Sequence, residues 1–154
     1  MQRSSSRSTV VVRASDPLTE EQSNVETAKE AIDLGNKFCR AGRFQEGLSV
    51  FEKALTLPGT GQKRFRDKPR LISDGEKQAA LINIACCHSQ LGDARSGLVA
   101  MSGALELGYE DFDQLRVDPD LAILRQDERF EGLLQRFEPK AGGGFMGLGK
   151  LFGN

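Results

Sequence analysis

Residues 28–58 read AKEAIDLGNKFCRAGRFQEGLSVFEKALTLP, residues 78–107 read QAALINIACCHSQLGDARSGLVAMSGALEL, and the two stretches repeat one pattern. In each stretch a small residue is followed twelve residues later by a glycine, as Gly35 is followed by Gly47. Large apolar residues recur around them at the spacing of an amphipathic helix. Each stretch therefore predicts two helices that cross where only small residues fit. The corresponding small residues of the second stretch are Ala85 and Gly97.

The repeated pattern resembles the tetratricopeptide repeat (TPR), in which pairs of antiparallel helices stack into a solenoid. The chain departs from that family at Ala31 and Leu81, where Trp is usual, and at His88, where an aromatic residue is usual. The resemblance implies an all-α fold, a TPR-like helical hairpin solenoid of two TPR pairs with C-terminal capping helices. The apolar residues expected to fill its two layers are Leu34, Phe38, Phe44, Leu48 and Phe51, then Leu81, Ile84, Leu98, Met101 and Leu105.

Helix start and stop signals place the TPR-like domain at residues 20–138. A capping box, in which a hydroxyl and a carboxylate each accept a backbone N–H, is predicted for Ser23 with Glu26 and for Ser73 with Glu76. The predicted helices lie at about 20–41, 44–57, 74–91, 94–107, 110–116, 119–125 and 128–137.

The C-terminal part of this domain is predicted to be a helical cap. Asp118 precedes Pro119, which is an N-cap followed by proline in the first helical position, and Asp127 is a second expected cap. An array of helix pairs needs such a cap to cover its last apolar face. The residues expected to do so are Leu115, Leu121, Leu124, Phe130, Leu133 and Leu134.

The two copies are offset by 50 residues, which leaves a basic insert at residues 58–72. It holds five basic residues and one acid, arranged around Phe65. We expect Lys63, Arg64 and Arg66 to contact anionic lipid headgroups or an acidic partner. The alternative is a solvated linker.

The two ends of the chain differ in composition from the domain. Residues 1–15 hold three Arg, five Ser and no acid, which is typical of an organelle transit segment and favours a plastid over a mitochondrion. An ordinary disordered N-terminus is the alternative. Residues 139–154 form a glycine-rich apolar tail, which either gains order on a partner or membrane or stays free. Its expected contact residues are Phe145, Leu148, Leu151 and Phe152.

Composition and motifs give no support for catalysis. The net charge is −1, which predicts no nucleic-acid binding, and no apolar run approaches the roughly 18 residues that span a bilayer. Cys86, Cys87 and His88 are consecutive on a predicted helix, so their side chains point about 100° apart and cannot share one metal ion. We expect packing roles for them, with His88 as a buried imidazole, and a reducing compartment for the three cysteines. No enzyme activity, cofactor, metal or small-molecule substrate is predicted.

The remaining candidate site is the concave surface made by the first helix of each pair. In TPR domains of the peptide-clamp type, asparagines at the positions of Asn36 and Asn83 hold a bound peptide, although both are also common consensus residues. Such clamps have a lysine where this chain has Ile32. The other residues expected to line the groove are Lys29, Cys39, Arg40, Ile82, Cys86, Ser89 and Gln90.

Residues 26–152 also resemble the TPR region of plastid thylakoid PDZ–TPR factors that act in photosystem II assembly and repair. The resemblance rests on Ala-Cys-Cys at 85–87, Gly-Tyr-Glu-Asp-Phe at 108–112, Asp-Pro-Asp-Leu at 118–121 and Leu-Phe-Gly at 151–153. It implies a non-catalytic adaptor at the stromal side of the thylakoid membrane, without a PDZ domain, that binds a photosystem subunit or assembly intermediate. The alternative is a TPR co-chaperone that binds an acidic C-terminal peptide, and the alternative location is the cytoplasm.

Overall fold

A computed structural model of the protein describes residues 16–140, and regular structure within that range is entirely helical, as the sequence predicted. The α-helices are α1 (Pro17–Ser23), α2 (Ala28–Arg40), α3 (Phe44–Ala54), α4 (Asp74–Gln90), α5 (Ala94–Glu106), α6 (Phe112–Val117), α7 (Ala122–Arg125) and α8 (Arg129–Phe137). A short 3-10 helix, Pro119–Leu121, precedes α7. None of the helices described is both long and apolar enough to cross a bilayer.

The four longer helices pack as two pairs. Helix α2 lies along α3, α4 lies along α5, and α3 joins the pairs by packing on α4. Each pair turns at a glycine, Gly42 with φ 74° or Gly92 with φ 79°. These φ angles lie in the left-handed region, where a side chain would be strained. The paired arrangement therefore follows the repeat seen in the sequence.

The helix predicted over residues 20–41 is wrong, because the chain forms two helices there. The capping box at the start of α2 is made by Thr27 and Glu30, not by Ser23 and Glu26. The Ser23 hydroxyl instead donates to the carbonyl of Glu20 at the end of α1. The break between the helices lets Val25 turn into the core and lets the N–H of Ala28 donate to the carbonyl of Pro58 at 2.8 Å.

Two of the other predicted helix starts, at Ser73 and at Asp118, are confirmed. Ser73 and Glu76 form the capping box of α4. The carboxylate of Asp118 accepts the N–H of Asp120 at 2.9 Å, at the start of the 3-10 helix. The carboxylate of Asp127 accepts the N–H of Arg129 at 2.9 Å, but Glu128 holds the N-cap position of α8.

The core has two clusters, one around the first helix pair that also includes Ala80 of α4, and one that runs from α3 to α8. Leu48 and Phe51 belong to the second cluster, so α3 supplies the contact between the pairs. Phe44 and Leu81 are half-buried, which is less than the sequence pattern predicted. The six predicted cap residues are all buried in the second cluster: Leu115, Leu121, Leu124, Phe130, Leu133 and Leu134.

The predicted close approach of Gly35 and Gly47 is confirmed, whereas Gly97 makes a different contact from the one predicted. A Cβ placed on Gly47 would lie 3.3 Å from the carbonyl oxygen of Gly35, so these two glycines meet as predicted. A Cβ on Gly97 would instead lie 2.8 Å from a methyl carbon of Leu124. The second glycine therefore makes room for the C-terminal cap, which the repeat pattern did not predict.

The basic insert is an ordered loop. The N–H of Gly59 donates to the carbonyl of Arg70, and Gly61 donates to Leu71 at 2.7 Å, so its two arms run side by side. The carboxylate of Glu76 also accepts the N–H of Thr60 at 2.9 Å, which ties the loop to the start of α4. Residues 62–71, which include the tip of the loop, are exposed.

Candidate peptide-binding groove

A groove of about 460 Å³ lies between α2 and α4. The start of α3 and the 3-10 helix border it, so the groove spans both helix pairs and the cap. The residues that line it are Asn36, Cys39, Arg40, Phe44, Ile82, Asn83, Cys86, Cys87, Gln90, Asp118 and Asp120.

Most residues predicted from the sequence meet in this groove. Asn83, Cys86 and Gln90 follow one another at three- and four-residue spacing, so they share one face of α4. Asn36 and Arg40 have the same relation on α2. The groove thus presents amide groups from two helices, and amides both donate to and accept from an extended peptide backbone.

Three predicted groove residues do not line it. Lys29 points to solvent and pairs with Asp33 at 2.7 Å. Ile32 is half-buried and packs against the core. Ser89 is only 1% exposed, because it lies about 100° around α4 from Gln90 and faces the interior.

Two acids that the sequence pattern did not predict for the site complete the groove. The 3-10 helix brings Asp118 and Asp120 to its border, and the amide of Gln90 donates to Asp120 at 3.3 Å. The guanidinium of Arg125 donates to the carbonyl of Asp118 and fixes this part of the cap. The Asp-Pro-Asp-Leu motif predicted the cap. Its contact with the groove could not be predicted, because the motif is distant from α4 in sequence.

The three cysteines also meet at this site. The Sγ atoms of Cys39 and Cys87 lie 3.4 Å apart, although 48 residues separate them in the chain. A hydrogen bond from Cys87 lowers the pKa of the Cys39 thiol, and the same contact raises the pKa of Cys87. Burial raises the pKa of Cys86 to about 12. The fold therefore brings thiols from two separate helices into direct contact.

His88 lies outside the groove lining. Its side chain is half-buried, and its Nδ1 atom lies 3.8 Å from a carboxylate oxygen of Asp93, at the turn between α4 and α5. Across residues 16–140, no group of three or more His, Cys, Asp or Glu side chains is arranged to hold a metal ion.

A second groove, of about 550 Å³, lies between α5 and α8. It combines three arginines with the apolar side chain of Val99, which is 67% exposed. The arginines come from helices that are distant in sequence, so no local pattern predicted it. They are Arg95, Arg129 and Arg136.

The predicted membrane or partner contacts fall partly on the described insert. Lys63, Arg64 and Arg66 are exposed there, and Phe65 is 78% exposed. The guanidinium of Arg66 stacks over the Phe65 ring at 5.2 Å from its centroid. Phe145, Leu148, Leu151 and Phe152 lie outside the described residues.

Comparison with known proteins finds a chloroplastic relative. Over 104 residues the chain is 36% identical to a chloroplastic protein of Arabidopsis thaliana. The matched segment covers 68% of this chain and 27% of the Arabidopsis protein, so the chain spans about a quarter of that relative's length. No family model and no solved structure matches the chain.

Proposed function

We propose that this protein is a non-catalytic TPR adaptor of the chloroplast, and that the groove between α2 and α4 holds an extended segment of a protein partner. The observation that carries the proposal is that Asn36 and Asn83, from two different helices, line one groove. Side-chain amides at such positions hydrogen-bond the backbone of a peptide and do not select its side chains. No small molecule, cofactor or nucleic acid is needed for this role.

The TPR assignment is supported by the agreement between the repeat in the sequence and the repeat of helix pairs in the structure. The sequence repeats a pattern of small and large apolar residues twice, and the chain folds as two successive helix pairs with glycine turns at equivalent places. The capping helices bury the exposed face of the second pair, as a helical array requires.

A place beside the thylakoid membrane is supported by three observations. The Arabidopsis relative is a chloroplastic protein. The first fifteen residues have the composition of a transit segment. The tip of the insert presents three cations and an exposed aromatic ring, which suits the surface of an anionic membrane. We infer a peripheral factor on the stromal side that assists photosystem II assembly or repair.

The charge of the groove disfavours the co-chaperone alternative. Asp118 and Asp120 stand at its border, and Arg40 is the cation in its lining. An acidic C-terminal peptide would bring further carboxylates close to both aspartates, which costs binding free energy. A neutral or basic segment of a partner fits this groove better.

The proposal is tested by blocking the groove in the full chain. Asn36→Arg and Asn83→Arg each put a long cation into the lining, and Gln45→Arg adds the same side chain at an exposed position of α3 outside it. Tagged proteins are incubated with solubilised thylakoids, and photosystem II subunits are quantified after affinity purification. We expect wild type and Gln45→Arg to retain them and both groove variants to lose at least tenfold.

Two results would contradict the proposal. Equal recovery of photosystem subunits by all four proteins would show that the groove is not the binding site. Recovery of soluble chaperones with no photosystem subunit would favour the co-chaperone instead. Circular dichroism of each variant confirms that it is folded before the binding result is used.

A further inference from the structure

Cys39 of α2 and Cys87 of α4 bring their sulfur atoms to 3.4 Å across the boundary between the two helix pairs. A disulfide bond is about 2.0 Å long, so the sulfurs must approach by little more than an ångström. Both helices are fixed by their partners, since α2 packs on α3 and α4 on α5. The fold therefore holds two thiols in position to react with each other.

The two thiols differ in access and in acidity. Cys39 is half-buried and lines the groove, where a small reagent or a partner thiol can reach it. Cys87 also borders the groove, but its side chain is fully buried. The hydrogen bond donated by Cys87 stabilises the Cys39 thiolate and lowers its pKa, while burial and nearby Asp120 act in the opposite direction. Cys39 is thus the better nucleophile, and Cys87 is placed to resolve the intermediate.

We propose that Cys39 and Cys87 form a reversible dithiol–disulfide pair that a disulfide-bearing oxidant converts to an intramolecular disulfide. The Cys39 thiolate attacks one sulfur of the oxidant R–S–S–R, which gives a mixed disulfide and releases R–S⁻. The Cys87 sulfur, losing its proton, then attacks Cys39 and releases the second R–S⁻. Two protein thiols are oxidised, one external disulfide is reduced to two thiols, and the two cysteine protons pass to the leaving groups.

The new bond would change the groove directly. It would join α2 to α4 covalently, and it would remove the Cys39 thiol from the lining beside Asn36 and Asn83. In a reducing compartment a disulfide of this kind is transient, so it can report or regulate rather than only stabilise. The pairing rests on the thiol geometry and stands whether or not the groove binds a peptide.

The test counts free thiols in the full chain after equilibration with mixtures of reduced and oxidised glutathione. Denatured samples are labelled with a maleimide polymer that shifts mobility once per thiol. We expect the wild type to fall from three thiols to one, with Cys39 and Cys87 joined in the peptide map. Cys86→Ser, the matched control, should fall from two thiols to none.

The remaining variants distinguish a Cys39–Cys87 disulfide from independent oxidation of the two cysteines. Cys39→Ser should keep both of its thiols, because adjacent residues on α4 point about 100° apart. Cys87→Ser should stop at a glutathione adduct on Cys39. The proposal is overturned if the wild type keeps three thiols in every mixture, if it stops at a glutathione adduct on Cys39, or if the mapped bond involves Cys86. The wild-type map decides the matter even if Cys87→Ser fails to fold.

Discussion

At the scale of single residues, the first helix pair depends on the lack of a side chain at Gly35. A Cβ placed there would lie 2.4 Å from the Phe51 ring, and Phe51 is fully buried. Because the core around the ring is closely packed, the ring cannot move aside without displacing its neighbours. Gly35 thus lowers helix propensity but allows α2 and α3 to pack at their observed distance.

We predict that Gly35→Ala lowers the free energy of unfolding by about 1 to 2 kcal/mol, because overpacking costs more than the roughly 1 kcal/mol gained in helix propensity. Denaturant unfolding followed by circular dichroism measures it. Gly132→Ala is the control, since no atom of residues 16–140 lies within 4 Å of a Cβ added there. The free energy of unfolding of Gly132→Ala should be equal to that of the wild type or higher. An equal increase in the free energy of unfolding of both variants would show that Gly35 is not at a close contact.

At the scale of elements, one carboxylate joins the basic insert to the start of α4. Glu76 accepts the N–H groups of Ser73 at 2.8 Å and Thr60 at 2.9 Å. Burial acts to raise the pKa of Glu76, but these hydrogen bonds outweigh burial, and the pKa is lowered from its usual value. The folded protein therefore stabilises the charged form of Glu76 more than the unfolded chain does.

We predict that Glu76→Gln lowers the free energy of unfolding by about 0.5 to 1 kcal/mol at neutral pH, since charge-assisted hydrogen bonds are stronger than neutral ones. A lowered folded pKa gives stability that is present above the unfolded pKa and is lost as the pH falls through the folded pKa. The difference from wild type should therefore shrink as the pH falls below the usual pKa range of a glutamate carboxyl. Thermal melts at several pH values measure this.

The control for that experiment is Glu26→Gln. The sequence pattern offered Glu26 as the equivalent capping residue, but it is exposed, and Thr27 with Glu30 forms the box. The melting temperature of Glu26→Gln should stay close to wild type at every pH. A pH-independent loss in Glu76→Gln would contradict the charge argument.

The tip of the insert gives a second prediction at this scale. Reversing Lys63, Arg64 and Arg66 to Glu should release the protein from thylakoid membranes, since each base near an anionic surface contributes about 1 kcal/mol that salt screens. Washed membranes are assayed by immunoblot at low and high salt. The matched control reverses Lys53, Arg95 and Lys140, which changes the net charge equally. Similar retention of both triple variants would show that the insert is a solvated loop.

At the scale of the whole molecule, the described residues close their own core. Leu124 packs on the site where Gly97 lacks a side chain, and Phe130, Leu133 and Leu134 bury against the second helix pair. Arg116 holds the cap together through Glu131 at 2.7 Å and Glu138 at 2.6 Å. The cap therefore buries the apolar face of the second helix pair.

We predict that deleting residues 142–154 leaves the melting temperature almost unchanged, because the variant keeps every cap residue that is buried within residues 16–140. Association with thylakoid complexes should weaken, since four large apolar side chains would be lost from a contact surface. Differential scanning calorimetry and co-sedimentation measure the two effects. A large loss of stability with unchanged binding per folded molecule would show that the tail packs on the protein's own helices.

Features that local interactions encode could be predicted from the amino-acid sequence. Apolar periodicity predicted the helices from α3 to α8 to within a few residues, and the Ser73 box and the Asp118 cap follow from hydrogen bonds that span three residues or fewer. Where two local signals competed, as at Ser23 and Thr27, burial of Val25 and a bond to Pro58 decided between them.

Which distant side chains meet depends instead on how whole helices pack. The sequence placed Cys39, Cys87 and Asp120 on three separate elements, and helix packing brought two of them to 3.4 Å and all three to one groove. Packing also turned Ser89 inward, although its neighbour Gln90 lines the groove. A periodic pattern fixes the face of a helix, but the angle and depth at which helices pack depend on the shapes of all the buried side chains together.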